Sequence, residues 1–141
     1  MALEGRGRAR YTGHMDTARR ILELMFLTAW SDGRFEGSEA LAIHRLASQV
    51  PILREAGPTL EIDAQAKARL DAEGLEACVR ELADGITLPG QRELAFQCCA
   101  TVSGADGKFV PEEAKVLRIL RDLWGLSPED AERLLVLATR A

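Results

Sequence analysis

From residue 16 onward the apolar positions of this chain recur at helical spacing. Ile21, Leu22, Met25, Phe26 and Ala29 fall on one face of a helix predicted over 16–30. Asp16 stands where an N-cap would, and Ser31-Asp32-Gly33 stops the helix. A second helix is expected over about 38–50, with Leu41, Leu46, Ala47 and Val50 inward and Pro51 ending it. Residues 51–59 carry Pro51, Gly57 and Pro58 and read as the longest connector. Leu60, Ile62, Ala66 and Leu70 then mark a helix over 60–72, and Leu75, Val79 and Leu82 another over 75–84. Pro89 opens a helix to about 103 carrying Leu94, Ala95, Cys98, Cys99 and Val102. Pro111 starts one that reaches Trp124, with Gly125 just past its end. Ser127-Pro128-Glu129-Asp130 is a helix start of the strongest kind, and Ala131, Leu134, Leu135 and Ala138 follow it. No segment alternates as a strand does. The pattern predicts an all-α fold, a compact bundle of about seven helices.

Composition agrees. Ala (21) and Leu (20) far outnumber Val, Ile and Thr (6, 6 and 7), a tilt towards side chains that lose little rotamer freedom in a helix. A chain of 141 residues buries enough surface to fold without a disulfide or a structural metal. The 18 Lys+Arg against 22 Asp+Glu give a net charge of −4, which excludes a general nucleic-acid binder. The charge is uneven. Residues 1–20 hold five arginines against Glu4 and Asp16, +3, so the remainder carries −7. The polar, Arg-rich stretch 1–14 reads as a flexible leader with Met15 as an alternative start, and 15–141 as the folded unit. It has no apolar run of signal-peptide type, and nothing later approaches a membrane span, so a cytoplasmic location is expected. Cys78, Cys98 and Cys99 show no CxxC spacing and read as reduced thiols packed in a helical core.

An internal repeat organises the chain. Asp32-Gly33-Arg34-Phe35-Glu36-Gly37-Ser38-Glu39 aligns without a gap, at an offset of 74 residues, with Asp106-Gly107-Lys108-Phe109-Val110-Pro111-Glu112-Glu113. Asp, Gly, Phe and the closing Glu are identical and the third position is basic in both. Flanking Ile43 and Leu117, and Leu46 and Leu120, agree in character. Each copy reads as helix, DGxF turn, helix, which predicts two pseudo-symmetric hairpins. Each eight-residue segment holds three acids and one base, so more than half of the −7 lies at two helix starts. The plainest role of these acids is to cap: Asp meets free amides at the turn, and Glu meets the positive end of the helix dipole. The spacing also matches the second half of an EF-hand loop. Its first position would be Thr28 or Val102 and its third Trp30 or Gly104, so an ordinary EF-hand is excluded.

Ala29-Trp30-Ser31-Asp32-Gly33 with Glu39, and Ser103-Gly104-Ala105-Asp106-Gly107 with Glu113, resemble the paired ADG…E signatures of TerB-like tellurite-resistance proteins. They are also similar to a domain found beside J domains in a membrane-anchored DnaJ-like co-chaperone. The resemblance runs from about Met15 to Ala141. In the first copy Trp30-Ser31 replaces the small residue that usually precedes Asp-Gly. The resemblance implies a bacterial, pseudo-symmetric helical domain linked to tellurite and other chemical stress. It implies that the domain is an interaction module with a protein partner and holds a divalent cation at the paired turns. Asp32, Glu39, Asp106 and Glu113 match the motif directly, and Glu36 and Glu112 are their neighbours. Carboxylates brought that close repel one another unless a cation or proton intervenes, and an all-oxygen set suits Ca, Mg or Mn more than Zn.

Other chemistry finds little support. His44 reads as solvent-facing and His14 belongs to the leader. No GxSxG and no GxxxxGK[ST] is present, which removes the usual hydrolase and nucleotide-binding signatures. Trp30 and Trp124 read as core or rim residues. The expectation is a non-enzymatic, TerB-like module with no nucleic-acid partner and no membrane span, self-association being left open. The rivals are a metal-dependent enzyme using the acidic cluster, and a scaffold whose acids only cap helices.

Overall fold

The computed structural model describes residues 14–31, 37–105 and 115–140, with side chains described over 16–31, 37–105 and 115–135. Among these it contains seven α-helices and one 3-10 helix, and no strand. They are α1 (His14–Trp30), α2 (Gly37–Gln49), the 3-10 helix Pro51–Ala56, α3 (Thr59–Glu73), α4 (Leu75–Asp84), α5 (Pro89–Ser103), α6 (Lys115–Trp124) and α7 (Pro128–Arg140). The all-α reading of the sequence is correct, and its helix boundaries fall within a few residues of these, except that the predicted start at Pro111 lies outside the described residues.

The bundle is arranged around α1. Every residue from Ile21 to Ala29 is buried, including Glu23 and Thr28. A helix buried on all sides is the axis of a core rather than a wall of it. The 3-10 helix, α3, α5, α4, α2 and α6 all pack against α1. The periodicity showed one face, Ile21, Leu22, Met25, Phe26 and Ala29. Leu24 and Leu27 on the other sides are equally buried. α5 is a second inner helix: α1, α2, α6 and α7 lie against it, and Phe96 joins the predicted Ala95, Cys98, Cys99 and Val102 in the core.

The repeat is present as helix pairs. Shifted by 74 residues, α1 falls on 88–104 and α2 on 111–123, which overlap α5 and α6. Ile43 and Leu117, at matching positions of α2 and α6, are both buried.

Four local expectations need correction. The connector 51–59 is not irregular throughout: Pro51–Ala56 forms a 3-10 helix that buries Leu53 and Ala56 against α1 and α2. Leu41 is 59% exposed and Leu60 81%, so neither is a core residue. In α2 the buried positions are Ala42 and Ile43 instead, and in α3 the predicted Ile62 and Ala66 are buried without Leu60. Asp16 does not precede α1. It lies in the first turn, where its carboxylate accepts a hydrogen bond from Arg20 Nε at 2.9 Å.

Two helix ends behave as the sequence predicts. Gly125 takes a φ of +62°, and the Leu126 N–H donates to the Arg121 carbonyl at 3.1 Å, the six-residue closure of a Schellman turn. Two residues on, Ser127 Oγ accepts from the Asp130 N–H at 3.0 Å and caps α7. Ser127→Ala is expected to lower stability by about 1 kcal/mol, read as an unchanged m-value with a lower urea midpoint. An unchanged midpoint would show that the cap carries no weight.

Candidate functional site

The two Asp-Gly segments leave from the C-terminal ends of α1 and α5. α1 packs on α5, and the Thr28 side chain on α1, whose hydroxyl donates to the Leu24 carbonyl at 2.8 Å, lies beside the Cys99 thiol on α5. Thr28 is three residues before Ser31, and Cys99 lies five residues before Gly104. α1 and α5 therefore lie together within about one turn of their last residues, Trp30 and Ser103. The exits are closed by short local bonds: Ser31 Oγ donates to the Thr28 carbonyl at 2.8 Å, and the Gly104 N–H donates to the Ala100 carbonyl at 3.0 Å. Glu39 sits in the first turn of α2 and is only 8% exposed, while α2 packs on both α1 and α5. Of the predicted ligands, Glu39 alone is described. Asp32, Glu36, Asp106, Glu112 and Glu113 lie outside the described residues. Among the described residues no cluster of His, Cys, Asp or Glu forms a set that holds a metal.

The thiols are core groups. Cys78, Cys98 and Cys99 are free and buried. Burial pushes Cys98 up to about 12, with the neighbouring Cys99 adding to the shift. Burial likewise pushes Cys99 up to about 12 against the opposing Thr28 hydroxyl. Burial also raises Cys78, more than Arg69 lowers it. Thiols held protonated in this way are poor nucleophiles at neutral pH. His44 is exposed, as expected. Both tryptophans are half-buried ties. Trp30 Nε1 donates to Asp63 Oδ1 at 2.9 Å, with Lys67 Nζ 5.3 Å from its ring. Trp124 Nε1 donates to the Ala83 carbonyl at 3.4 Å, with the Arg92 guanidinium 5.7 Å from its ring.

A polar groove of about 820 Å³ runs between α1, α3 and α4, and the sequence reading missed it. Glu23 of α1 lies at its base, 8% exposed. Arg69 of α3 donates to Glu23 Oε2 at 3.2 Å and also pairs with Glu81 of α4, so one guanidinium joins three helices. Burial raises the Glu23 carboxyl above its usual range, a shift that Arg69, Arg19 and Arg20 oppose without cancelling. Arg20 spans the same groove. Its Nη1 donates to the carbonyls of Glu81 (3.1 Å) and Leu82 (3.3 Å) in the last turn of α4, the second of which also accepts from the Gly85 N–H at 3.2 Å. The guanidinium lies so close to Gly85 that a Cβ there would collide with it. Arg19 donates to the Ala56 carbonyl at 3.3 Å and to Gln65 at 3.2 Å, tying the 3-10 helix to α3. The groove's cations are thus engaged with carboxylates and helix-end carbonyls, an arrangement that fixes helices rather than one that waits for an anion. The one signal in the sequence was Glu23 itself, a lone acid within an otherwise apolar stretch.

No described helix is long and apolar enough to cross a membrane. Comparison with curated proteins returned no match, and neither did comparison with solved structures. The family model of tellurite resistance protein TerB matches residues 59–136, from the start of α3 into α7. The matched segment takes in the second Asp-Gly motif, 106–113, and begins after the first. It covers 78 of 141 residues, more than half of the chain. With an all-helical bundle whose paired helices repeat at 74 residues, the chain belongs to the TerB tellurite-resistance family.

Proposed function

We propose that residues 15–141 act as a non-enzymatic TerB module of a bacterial cytoplasmic response to tellurite or related chemical stress. In this reading the module binds a divalent cation at its paired turns and docks a protein partner. The ligands are Asp32, Glu39, Asp106 and Glu113, with Glu36 and Glu112 beside them. The observation that supports it is the packing of α1 on α5, with Thr28 beside Cys99 near the C-terminal end of each helix. Two acidic segments that start from adjacent helix ends have a short path to one another. Glu39 adds to this, because a buried carboxylate in the first turn of α2 is held with few rotamers beside the α1 and α5 helices on which α2 packs. The donor set is all carboxylate, which fits Ca, Mg or Mn. Such an ion would neutralise the acids and fix one turn relative to the other.

Isothermal titration of the chain and of Asp106→Ala with Ca, Mg and Mn tests the reading. The chain should bind at least one ion, and the variant should bind it at least about tenfold more weakly. Undetectable binding by both would leave the acids as helix caps and overturn the cation assignment. Ion binding with turnover of a tellurium oxyanion would favour an enzyme instead.

A further inference from the structure

α3 is attached differently from α1 and α5. Of its fifteen residues only Ile62 and Ala66 are buried, whereas α5, of the same length, buries six. Its main packing partners are α1 and α4. Polar ties supplement the thin apolar contact with α1. Trp30 donates to Asp63 at 2.9 Å, Arg19 to Gln65 at 3.2 Å, and Arg69 to Glu23 at 3.2 Å. Gly57, two residues before α3, and Gly74, directly after it, occupy a backbone region that only glycine enters readily. Gly57 has φ +87° and ψ −159°, and Gly74 has φ +88° and ψ 160°. A Cβ on either would meet nothing within 4 Å, so conformation rather than crowding calls for glycine there. No side chain caps the start of α3. A helix with a small apolar face, jointed at both ends, has the properties of a local opening unit.

We propose that α3 is a hinged flap that lifts off α1 about Gly57 and Gly74, with the Glu23–Arg69 pair as its latch. α4 keeps its place on α1 and α6 while α3 moves. Lifting withdraws Arg69 and lets water reach Glu23 at the base of the polar groove. The charged groups around Glu23 are Arg69 and Glu73 of α3, Asp16, Arg19 and Arg20 of α1, and Glu81 of α4, and the Cys78 thiol of α4 feels its charge. Among the described residues, the 3-10 helix, α2, α5 and α6 add no charge to the lining of this groove. Burial raises the docked Glu23 carboxyl above 4.5, more than Arg69, Arg19 and Arg20 lower it. Protonation of Glu23 therefore favours the docked flap. This contribution is complete below 4.5 and is lost as pH rises through the docked value, so the flap lifts more readily at higher pH.

Native-state amide hydrogen exchange on the full chain in EDTA, corrected for the intrinsic rate at each pH, tests the flap and its latch. Amides of α3 should open as one unit, at least about tenfold more often than those of α1 and α5 and with a weaker urea dependence. The α3 opening constant should rise between pH 5 and 7.5. Arg69→Met should steepen that rise. Glu23→Gln, which keeps the shape of the side chain without its charge, should remove it. Exchange of α3 only together with α1 would overturn the flap. Joint opening of α3 and α4 would do the same, because it would move the joint from Gly74 to Gly85. A pH-independent opening of α3 in the unchanged chain, or a rise that persists in Glu23→Gln, would overturn the latch.

Discussion

Phe96→Ala is expected to lower the stability of this protein by about 3–5 kcal/mol, the range for emptying a buried aromatic site. Phe96 is 2% exposed and lies on α5, which α1, α2, α6 and α7 enclose. Surrounding helices that also pack on one another have little freedom to collapse into the space, which places the loss towards the upper end. Against the roughly 5–15 kcal/mol that holds a domain of this kind together, that loss removes a third or more of the margin. Urea unfolding of Phe96→Ala and Phe96→Leu checks it. The leucine variant should recover most of the loss, because it restores most of the volume. A cost below about 1 kcal/mol for the alanine variant would mean that α5 is not an inner helix.

Arg69→Met is expected to cost about 2–3 kcal/mol at pH 7.5, less than a fully buried pair because the Arg69 side chain keeps 28% of its exposure. The cost should shrink as the pH falls towards 5. The sign follows from Glu23. Burial raises its folded carboxyl above the unfolded value of 4.5. Its protonation therefore favours the folded state: this contribution is fully present below 4.5 and is lost as pH rises through the folded value. Without Arg69, its foremost opposing charge is gone, the folded carboxyl rises further, and the window of pH-dependent loss widens. Urea unfolding at both pH values measures this. Adding Glu23→Gln to Arg69→Met should flatten the dependence and recover part of the stability, since an amide needs no cation. An equal loss at pH 5 and 7.5 would show that Arg69 acts through packing alone.

The fold was largely legible because helix ends are written in local chemistry. Gly125, Ser127 and Pro128 mark the α6–α7 junction whatever the rest of the chain does. Depth was harder to read. Periodicity identifies one apolar stripe, but α1 and α5 are covered on several sides, and only the tertiary arrangement shows that Leu24, Leu27 and Phe96 are as buried as the stripe. The same limit misplaced Leu41 and Leu60, which are apolar at helical spacing yet face water. The 3-10 helix was hidden by Pro51 at its start and Gly57-Pro58 after its end, which mark a turn without indicating that Leu53 and Ala56 are buried. The repeat pointed to the family that the TerB model shows, whereas five of the six acids it singled out lie outside the described residues. The Glu23–Arg69–Glu81 junction joins residues far apart in the chain, so no local pattern announces it.

The position of α1 also bears on how the protein is made. It is synthesised before every element that covers it, from α2 at residue 37 to α6 at residue 115. Its largely apolar surface therefore emerges from the ribosome with nothing to bury it and waits until about a further two thirds of the chain have been translated. A helix of this kind, the hub of the finished structure, is during synthesis its most exposed hydrophobic segment. The interval before α6 arrives is the period in which a nascent-chain chaperone has the most to hold.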